Sequence, residues 1–380
     1  MRAVASREGD RVTTLELFFD LAFVFAFTQL SRLMAQEHDA VGVVQALVIL
    51  ALLWWSWTAY GWLTNLAHAD QGVLRIAMII GMTAMFVAGL VVIEAYDDLP
   101  GGLFAPIVFV AAYLVARVTH AVLFVRLSEP RLRRRTVIAM TLSVAPSAAL
   151  LIAGALLGAP WQLWFAIAAV AIEPIVSYRS SVGVDWPVRS TSHFTERHGL
   201  IMILALGESI LGIGAGVATE PVSAAILIGA VVSMLICVGL WWAYFTRLAH
   251  AAEHALAEMP TGVRARAASD AYTYLHLALV GGIVLAALGL EVAMAHIESG
   301  EGLGLFGGAA LGGGVACYLV GTGLFARRLL GGGFATRVIA ATALVALVPA
   351  IALAPPLLAL GGVALALVAL FVVERTTSSG

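Results

Sequence analysis

The stretch TTLELFFDLAFVFAFTQL, residues 13–30, is apolar enough for a membrane-spanning helix but contains two carboxylates. Glu16 and Asp20 are four residues apart, so on a helix they lie about 40° apart around the axis and share one face. That face cannot lie against lipid, because a charged side chain in hydrocarbon costs several kcal/mol. The stretch therefore predicts a membrane helix that turns Glu16 and Asp20 towards other helices.

The composition of the whole chain is that of a polytopic membrane protein. Hydrophobic residues make up 61% and charged residues 12% of its 380 residues, and the mean hydropathy is +0.98. These values exclude a soluble domain and favour an all-α fold of membrane-spanning helices. Most of the apolar runs approach the ~20 residues that cross the hydrocarbon core. The twelve predicted spans are 14–34, 43–64, 73–94, 104–126, 137–158, 161–177, 198–217, 223–247, 271–293, 303–325, 335–354 and 356–373.

The arginines predict how the chain is oriented. All 21 basic residues are arginine, and with twelve spans every one except Arg32 and Arg117 falls on the same side as the two termini. The positive-inside rule then places both termini in the cytoplasm. The RLRRR run at 131–135 is interpreted as part of this signal, so no nucleic-acid partner is expected. Because Glu16 and Asp20 interrupt the first apolar run, that run is expected to stay in the mature protein and not to be cleaved as a signal peptide.

Short sequence words recur in the two halves of the chain. LWW at 53–55 and LAHA at 66–69 reappear in the same order at 240–242 and 248–251. The words predict a first six-helix repeat at 1–178, a cytoplasmic linker at 179–192 and a second six-helix repeat at 193–380. An even number of spans per repeat makes the two copies parallel, related by an axis along the membrane normal. Glu16 and Glu196 then occupy equivalent positions.

Two segments resemble a known family. LELFFDLAFVFAFTQL at 15–30 and HFTERHGLIMILALGESIL at 193–211 are similar to the most recognisable stretches of the bacterial low-temperature-requirement protein A family. The resemblance implies a multi-span protein of the bacterial inner membrane that is linked to growth at low temperature. It implies no particular substrate or reaction.

The second of these segments adds further candidates for a functional site. Glu196, Arg197 and His198 cluster where the seventh span begins, and Glu208 follows ~18 Å deeper at 1.5 Å per residue. A titratable residue at that depth indicates function by default. The partner predicted for Glu208 is Arg117, the arginine inside the fourth span, with His120 on roughly the same face as Arg117. Further membrane-embedded candidates are Gln29, Glu173, His276 and Glu291.

Two interpretations of these groups stay open at this stage. In the structural one, Arg117 and Glu208 form a buried ion pair, while Glu16 and Asp20 hold Arg197 or Arg75. In the functional one, a polar pathway runs from the cytoplasmic mouth to the midplane and carries protons or a charged substrate. Its candidate residues are Glu16, Asp20, Arg117, His120, Glu196, Arg197, His198 and Glu208.

Other patterns are interpreted without assigning chemistry to them. The spacing of His193, Glu196 and His198 matches no metal-binding pattern, so neither a metal nor a cofactor is predicted. The glycine clusters at 302–308, 311–315 and 329–334 are assigned to helix packing and turns. A set of tryptophans is interpreted as an interfacial aromatic belt, and the alternative is that their rings stack on a ligand. This set comprises Trp54, Trp55, Trp57, Trp62, Trp241 and Trp242.

Two classes of function remain. The first is a secondary transporter or permease for an unidentified small molecule or ion, with proton coupling as one option, and its basis is the span count, the repeat and the midplane ionisable groups. The alternative is a membrane protein that does not transport, either an integrity factor in cold membranes or an intramembrane enzyme acting on a lipid-soluble substrate. The lipid bilayer is the only macroscopic partner that either class requires.

Overall fold

The computed structural model describes residues 8–37, 39–181, 188–332 and 334–377, and every element in those ranges is a helix. Twelve helical stretches are long and apolar enough to cross a membrane. The prediction of an all-helical polytopic membrane protein is therefore confirmed. The helices of the first half are α1 (Thr14–Glu37), α2 (Ala40–Leu66), α3 (Gly72–Leu90), α4 (Ala105–Leu127), α5 (Arg133–Leu157) and α6 (Trp161–Ser181).

The second half contains more helical segments than spans. Its elements are α7 (Thr191–Ala215), α8 (Ala224–Phe245), α9 (Leu248–Glu258), α10 (Thr261–Ala268), α11 (His276–Ala295), α12 (Gly304–Gly308), α13 (Gly314–Leu330), α14 (Phe334–Leu353) and α15 (Pro356–Thr377). Two π-helical segments, Ser269–Leu275 and Ala309–Gly313, lie within the ninth and tenth spans. The predicted sixth span and the last two predicted spans are each a separate helix.

Local sequence explains several helix ends. Ser223 precedes α8 and accepts a hydrogen bond from the backbone N–H of Ile226, which satisfies one of the unpaired donors of the first turn. Gly331 ends α13 with a φ of 76°, a left-handed conformation that glycine adopts at little cost. Pro355 separates α14 from α15, because it lacks the backbone N–H that would continue the helix.

One compact unit consists of the described residues within 1–33, 40–197 and 260–265. In it α3 packs on α4, α5 packs on both α4 and α6, and α2 packs on α4 and α6. The start of α7 belongs to the same unit and contacts α1 and α2. The membrane face at which α1 begins is called the near face below, and the end of α2 and the start of α7 also lie there.

The other compact unit consists of the described residues within 34–39, 198–259 and 266–380. Its centre is the crossing of α11 and α13, where glycines let the backbones approach closely. A Cβ at Gly282 of α11 would lie 2.6 Å from the backbone nitrogen of Tyr318 on α13. Glycines of the cluster at 302–308 also face the backbone of α14, so the assignment of that cluster to helix packing is confirmed.

The two copies of the LAHA word differ in local structure. Residues 66–69 end α2 and enter a loop, whereas residues 248–251 form the first turn of α9. The pattern of words therefore does not by itself reproduce a structural repeat. The proposed correspondence between 1–178 and 193–380 stays a prediction.

Candidate functional site

The first turn of α1 fixes Glu16 by a capping box. The backbone N–H and the hydroxyl of Thr13 both donate to Glu16 Oε2, at 2.9 and 3.0 Å, and Glu16 N–H donates back to Thr13 Oγ1 at 3.3 Å. This reciprocal pattern satisfies donors that a helix start leaves without a partner. Glu16 is fully buried, so its carboxylate is held at the start of α1 and points into the protein.

Arg197 of α7 binds both carboxylates of α1, Glu16 and Asp20. Its Nη1 donates to Glu16 Oε1 at 2.7 Å and to Thr64 Oγ1 at 2.6 Å, and its Nη2 donates to Asp20 Oδ1 at 3.3 Å. His193 lies one turn earlier on α7, with Nε2 3.0 Å from Glu16 Oε1. The four residues Glu16, Asp20, His193 and Arg197 are called the rim cluster, and each is at least 95% buried.

Asp20 is held less completely than Glu16. Trp57 of α2 donates its indole N–H to Asp20 Oδ1 at 2.7 Å, on the same oxygen that Arg197 contacts. The other oxygen, Oδ2, is buried and has no hydrogen-bond partner within the described residues. An orphan acceptor in an apolar interior is costly unless a proton, water or ligand occupies it.

The charges of the rim cluster do not cancel. Arg197 contributes one positive charge, because a guanidinium keeps its proton in proteins. Glu16 and Asp20 contribute two negative charges when both are ionised, so one negative charge is left over unless His193 or a carboxylate binds a proton. This imbalance distinguishes the rim cluster from an ordinary buried ion pair.

Arg117 of α4 forms a second buried cluster with Glu173 of α6. Its Nε donates to Glu173 Oε2 at 3.0 Å, and its Nη2 contacts the same oxygen. Tyr113 donates its hydroxyl to Glu173 Oε1 at 2.9 Å, and Trp55 donates its indole N–H to Oε2 at 2.8 Å. These four residues are called the midplane cluster, since Arg117 is ~15 Å from the near-face end of α4 at 1.5 Å per residue. Its formal charges cancel.

The partner predicted for Arg117 was wrong. The depth of Glu208 in its helix predicts a pair with Arg117, but Arg117 forms its ion pair with Glu173, which also lies inside a membrane span. Two features favour this partner: α4 and α6 belong to the same compact unit, and both pack against α2. Glu208 itself is buried on α7, in the other unit.

Helix α2 contacts both clusters. Thr64 and Trp57 bind the rim cluster, and Trp55 binds Glu173 of the midplane cluster. Between these levels Tyr60 donates its hydroxyl to the carbonyl of Ala116 at 3.1 Å, and its ring centroid lies 5.9 Å from that of His120. His120 is buried beside the midplane cluster, as its position near Arg117 predicted.

The aromatic-belt interpretation is wrong for Trp54 and Trp57 of α2. Trp54 and Trp57 are almost completely buried and stack on each other with ring centroids 5.0 Å apart. Trp57 is a hydrogen-bond donor to Asp20 and not a lipid anchor. Trp241 and Trp242 of α8, by contrast, are exposed on the protein surface, as residues of a belt would be.

The remaining candidates do not join the rim cluster. Glu196 is exposed and accepts a hydrogen bond from the backbone N–H of Val12 at 3.2 Å. His198 is buried in the second unit, where its ring lies 5.1 Å from Tyr272 and 5.4 Å from His276, centroid to centroid. His276 follows a π-helical segment and has Nε2 2.9 Å from the Tyr244 hydroxyl.

Sequence reasoning missed the roles of three side chains. From sequence, His193 is a candidate only for metal binding, and nothing predicts Thr64 as a partner of Arg197 or Trp57 as a partner of Asp20. The i, i+4 spacing of His193 and Arg197 does put both on one face of α7 and was a usable signal. Within the described ranges, no three His, Cys, Asp or Glu side chains come together as a metal site would require.

Comparison with known proteins places the chain in a family. Residues 11–372 match the family model described as bacterial low temperature requirement A protein (LtrA). An uncharacterised protein of Rhizobium meliloti (strain 1021), RA0937, is 30% identical over 301 residues, which cover 74% of this chain and 69% of that protein. No solved structure matches the chain. The matched region contains the rim and midplane clusters, and the chain belongs to the bacterial low temperature requirement A family.

Proposed function

We propose that this protein is a proton-coupled secondary transporter whose proton site is the rim cluster. The observation that carries the proposal is that two fully buried carboxylates, Glu16 and Asp20, share one arginine, so the cluster has an excess negative charge unless His193 or a carboxylate binds a proton. An uncompensated charge in a membrane-spanning bundle costs several kcal/mol, so the cluster has a strong tendency to bind one proton. A buried group that gains and loses a proton is the element that couples a transporter to a proton gradient.

Asp20 is the residue to which we assign this proton. Glu16 accepts hydrogen bonds from Thr13 and Arg197, has His193 beside it, and lies at a helix start where a negative charge is stabilised. Asp20 has donors on only one oxygen, so its negative charge is the less stabilised of the two. A proton needs a single acceptor atom such as Asp20 Oδ2, whereas a bound metal ion requires several oxygen ligands.

The midplane cluster supports a different role in the same unit. Arg117 and Glu173 neutralise each other, and Tyr113 and Trp55 complete the hydrogen bonding of the carboxylate. Such a closed pair holds two helices together and leaves no excess charge. If the rim cluster is likewise neutral and closed, the two clusters together favour the alternative function, a membrane protein that does not transport.

Transport is tested in proteoliposomes that enclose a pH-sensitive dye. The liposomes are exposed in turn to a panel of small cations, anions and zwitterions, and the internal pH is followed. A substrate is expected to change the internal pH with the wild-type protein and to leave it unchanged with Asp20→Asn. Arg134→Gln serves as the control, because Arg134 is exposed and lies outside both clusters.

Two results would argue against the proposal. The first is a substrate that is carried equally well by the wild type and by Asp20→Asn, which would exclude Asp20 as the coupling residue. The second is a titration of the purified protein in which the wild type and Asp20→Asn bind the same number of protons at neutral pH. That result would show that Asp20 is ionised there and would favour the structural alternative.

A further inference from the structure

An amphipathic cavity of about 410 Å³ opens on the surface of the first unit at the near face. Its walls are Thr14, Leu15 and Phe18 from the start of α1, Asp70 from the loop after α2, and Arg75 from the first turn of α3. The volume lies within the range of ~300–1,000 Å³ that is usual for small-molecule sites. The cavity is distinct from the rim cluster, which lies on the buried side of the same turn of α1.

The charged groups of this cavity are available to a ligand. Arg75 and Asp70 are both exposed, and within the described residues neither side chain makes an ion pair or a hydrogen bond. One positive and one negative group therefore line the same cavity without neutralising each other. A zwitterionic ligand would pair with Arg75 through its negative group and with Asp70 through its positive group.

The opposite end of the cavity is apolar and faces the membrane. Phe18 is 56% exposed, and Leu21, one turn deeper on α1, is 51% exposed. On a membrane-spanning helix an exposed apolar face lies against lipid. The cavity thus has a charged end at the level where headgroups lie and an apolar end at the level where acyl chains begin.

From this arrangement we infer that the cavity binds the headgroup of phosphatidylethanolamine. The phosphate lies on the Arg75 guanidinium, whose planar fork suits phosphate oxygens, and the Thr14 hydroxyl is a second donor. The ammonium group of the lipid donates hydrogen bonds to the Asp70 carboxylate. The acyl chains extend from the cavity along Phe18 and Leu21.

The charge pattern selects this headgroup over the common alternatives. Phosphatidylcholine carries a phosphate and a positive charge, but its trimethylammonium group has no N–H to donate to Asp70. Phosphatidylglycerol carries the phosphate without any positive charge, so it places an anion beside the Asp70 carboxylate and leaves that carboxylate uncompensated.

The experiment measures lipid binding through thermal stability. The purified full-length protein in a neutral detergent is titrated separately with phosphatidylethanolamine, phosphatidylcholine and phosphatidylglycerol, and the unfolding midpoint is recorded, since a ligand of the folded state raises it. Phosphatidylethanolamine is expected to raise the midpoint of the wild type most. Arg75→Gln should bind it about tenfold more weakly, the loss expected for one charged hydrogen-bond partner.

Variants and a soluble analogue distinguish the possible outcomes. Asp70→Asn should remove the preference for phosphatidylethanolamine over phosphatidylglycerol, and Arg134→Gln, an exposed arginine outside the cavity, should behave like the wild type. Glycerophosphoethanolamine tests the headgroup without acyl chains and should stabilise the protein much less. The inference is overturned if Arg75→Gln keeps the full response, if the three lipids act alike, or if the soluble analogue replaces the lipid. None of these results depends on whether the protein transports a solute.

Discussion

Asp20 and Glu173 are both buried carboxylates facing an arginine, yet their surroundings differ in a way that mutations can reveal. Glu173 receives donors on both oxygens and balances a single arginine. Asp20 shares its arginine with Glu16 and has one oxygen without a partner within the described residues. Removing the charge of Glu173 therefore creates an unpaired charge, whereas removing the charge of Asp20 eliminates one.

Glu173→Gln is expected to destabilise the protein strongly. The change strands the buried guanidinium of Arg117, and breaking one side of a buried ion pair costs about 3–5 kcal/mol. The double variant with Arg117→Met should recover much of this loss, because it removes the stranded charge. Unfolding midpoints in detergent measure both effects. As a control, Glu129→Gln removes the exposed pair with Arg131 and should cost less than about 1 kcal/mol. Equal stability of Glu173→Gln and the wild type would contradict the described ion pair.

Glu16→Gln and Asp20→Asn should differ although both remove one charge from the same cluster. Glu16→Gln weakens the capping box and the bond from Arg197, so we expect a loss of about 3 kcal/mol. Asp20→Asn keeps an oxygen for the Trp57 indole and removes the excess charge, so its stability should stay within about 1 kcal/mol of the wild type. The same unfolding measurement compares the two. A larger loss for Asp20→Asn than for Glu16→Gln would reverse our assignment of the proton.

Some of these residues could be predicted from sequence and others could not. The shared face of Glu16 and Asp20 follows from their spacing, and Arg197 was one of the two partners expected for them. Glu173 was only a secondary candidate, since a single sequence gives the depth of a residue in a helix but not which helix is its neighbour. The hydrogen bond from Trp57 was missed because a tryptophan near a helix end is typical of an aromatic belt.

At the scale of elements, the crossing of α11 and α13 depends on glycine at the contact point. At Gly282 the three atoms nearest to an added Cβ all belong to the backbone of α13, at 2.6 to 2.9 Å. Backbone cannot rotate away as a side chain can, so the helices themselves would have to separate. Close packing of the two backbones thus requires glycine at position 282.

Gly282→Ala is expected to lower stability by about 1–3 kcal/mol, the usual cost of overpacking. Gly361→Ala on α15 is the matched control, because an added Cβ there meets nothing within 4 Å. It should be neutral or slightly stabilising, since alanine has the higher helix propensity. Thermal unfolding in detergent gives both values. A neutral effect of Gly282→Ala would mean that α11 and α13 are farther apart than described.

At the scale of the whole molecule, the span count is the property that sequence predicted best. Each span is a long apolar run, and hydropathy alone identifies it without knowledge of its neighbours. The parallel repeat is harder to predict from sequence, because short apolar words recur easily in so hydrophobic a chain. The two LAHA copies also adopt different local structures. The repeat and the cytoplasmic position of the termini stay predictions.

Reporter fusions test the orientation. A reporter fused after Asp98, in the loop between α3 and α4, should report the outside of the cell. A reporter fused after Arg134, at the start of α5, should report the inside, because the arginines of this region favour the cytoplasm. An inside signal at Asp98 combined with an outside signal at Arg134 would invert the orientation. The same signal at both sites would contradict α4 as a span.

The arrangement of α2 has a mechanical consequence. The helix touches the rim cluster through Thr64 and Trp57 and the midplane cluster through Trp55, and one continuous helix joins these contacts. A sliding movement of α2 along its axis would therefore displace Trp57, a donor to Asp20, and Trp55, a donor to Glu173, by the same amount at the same moment. We expect protonation of Asp20 to be transmitted to the midplane cluster in this way, by movement of one rigid helix and with no relay of protons between the two clusters.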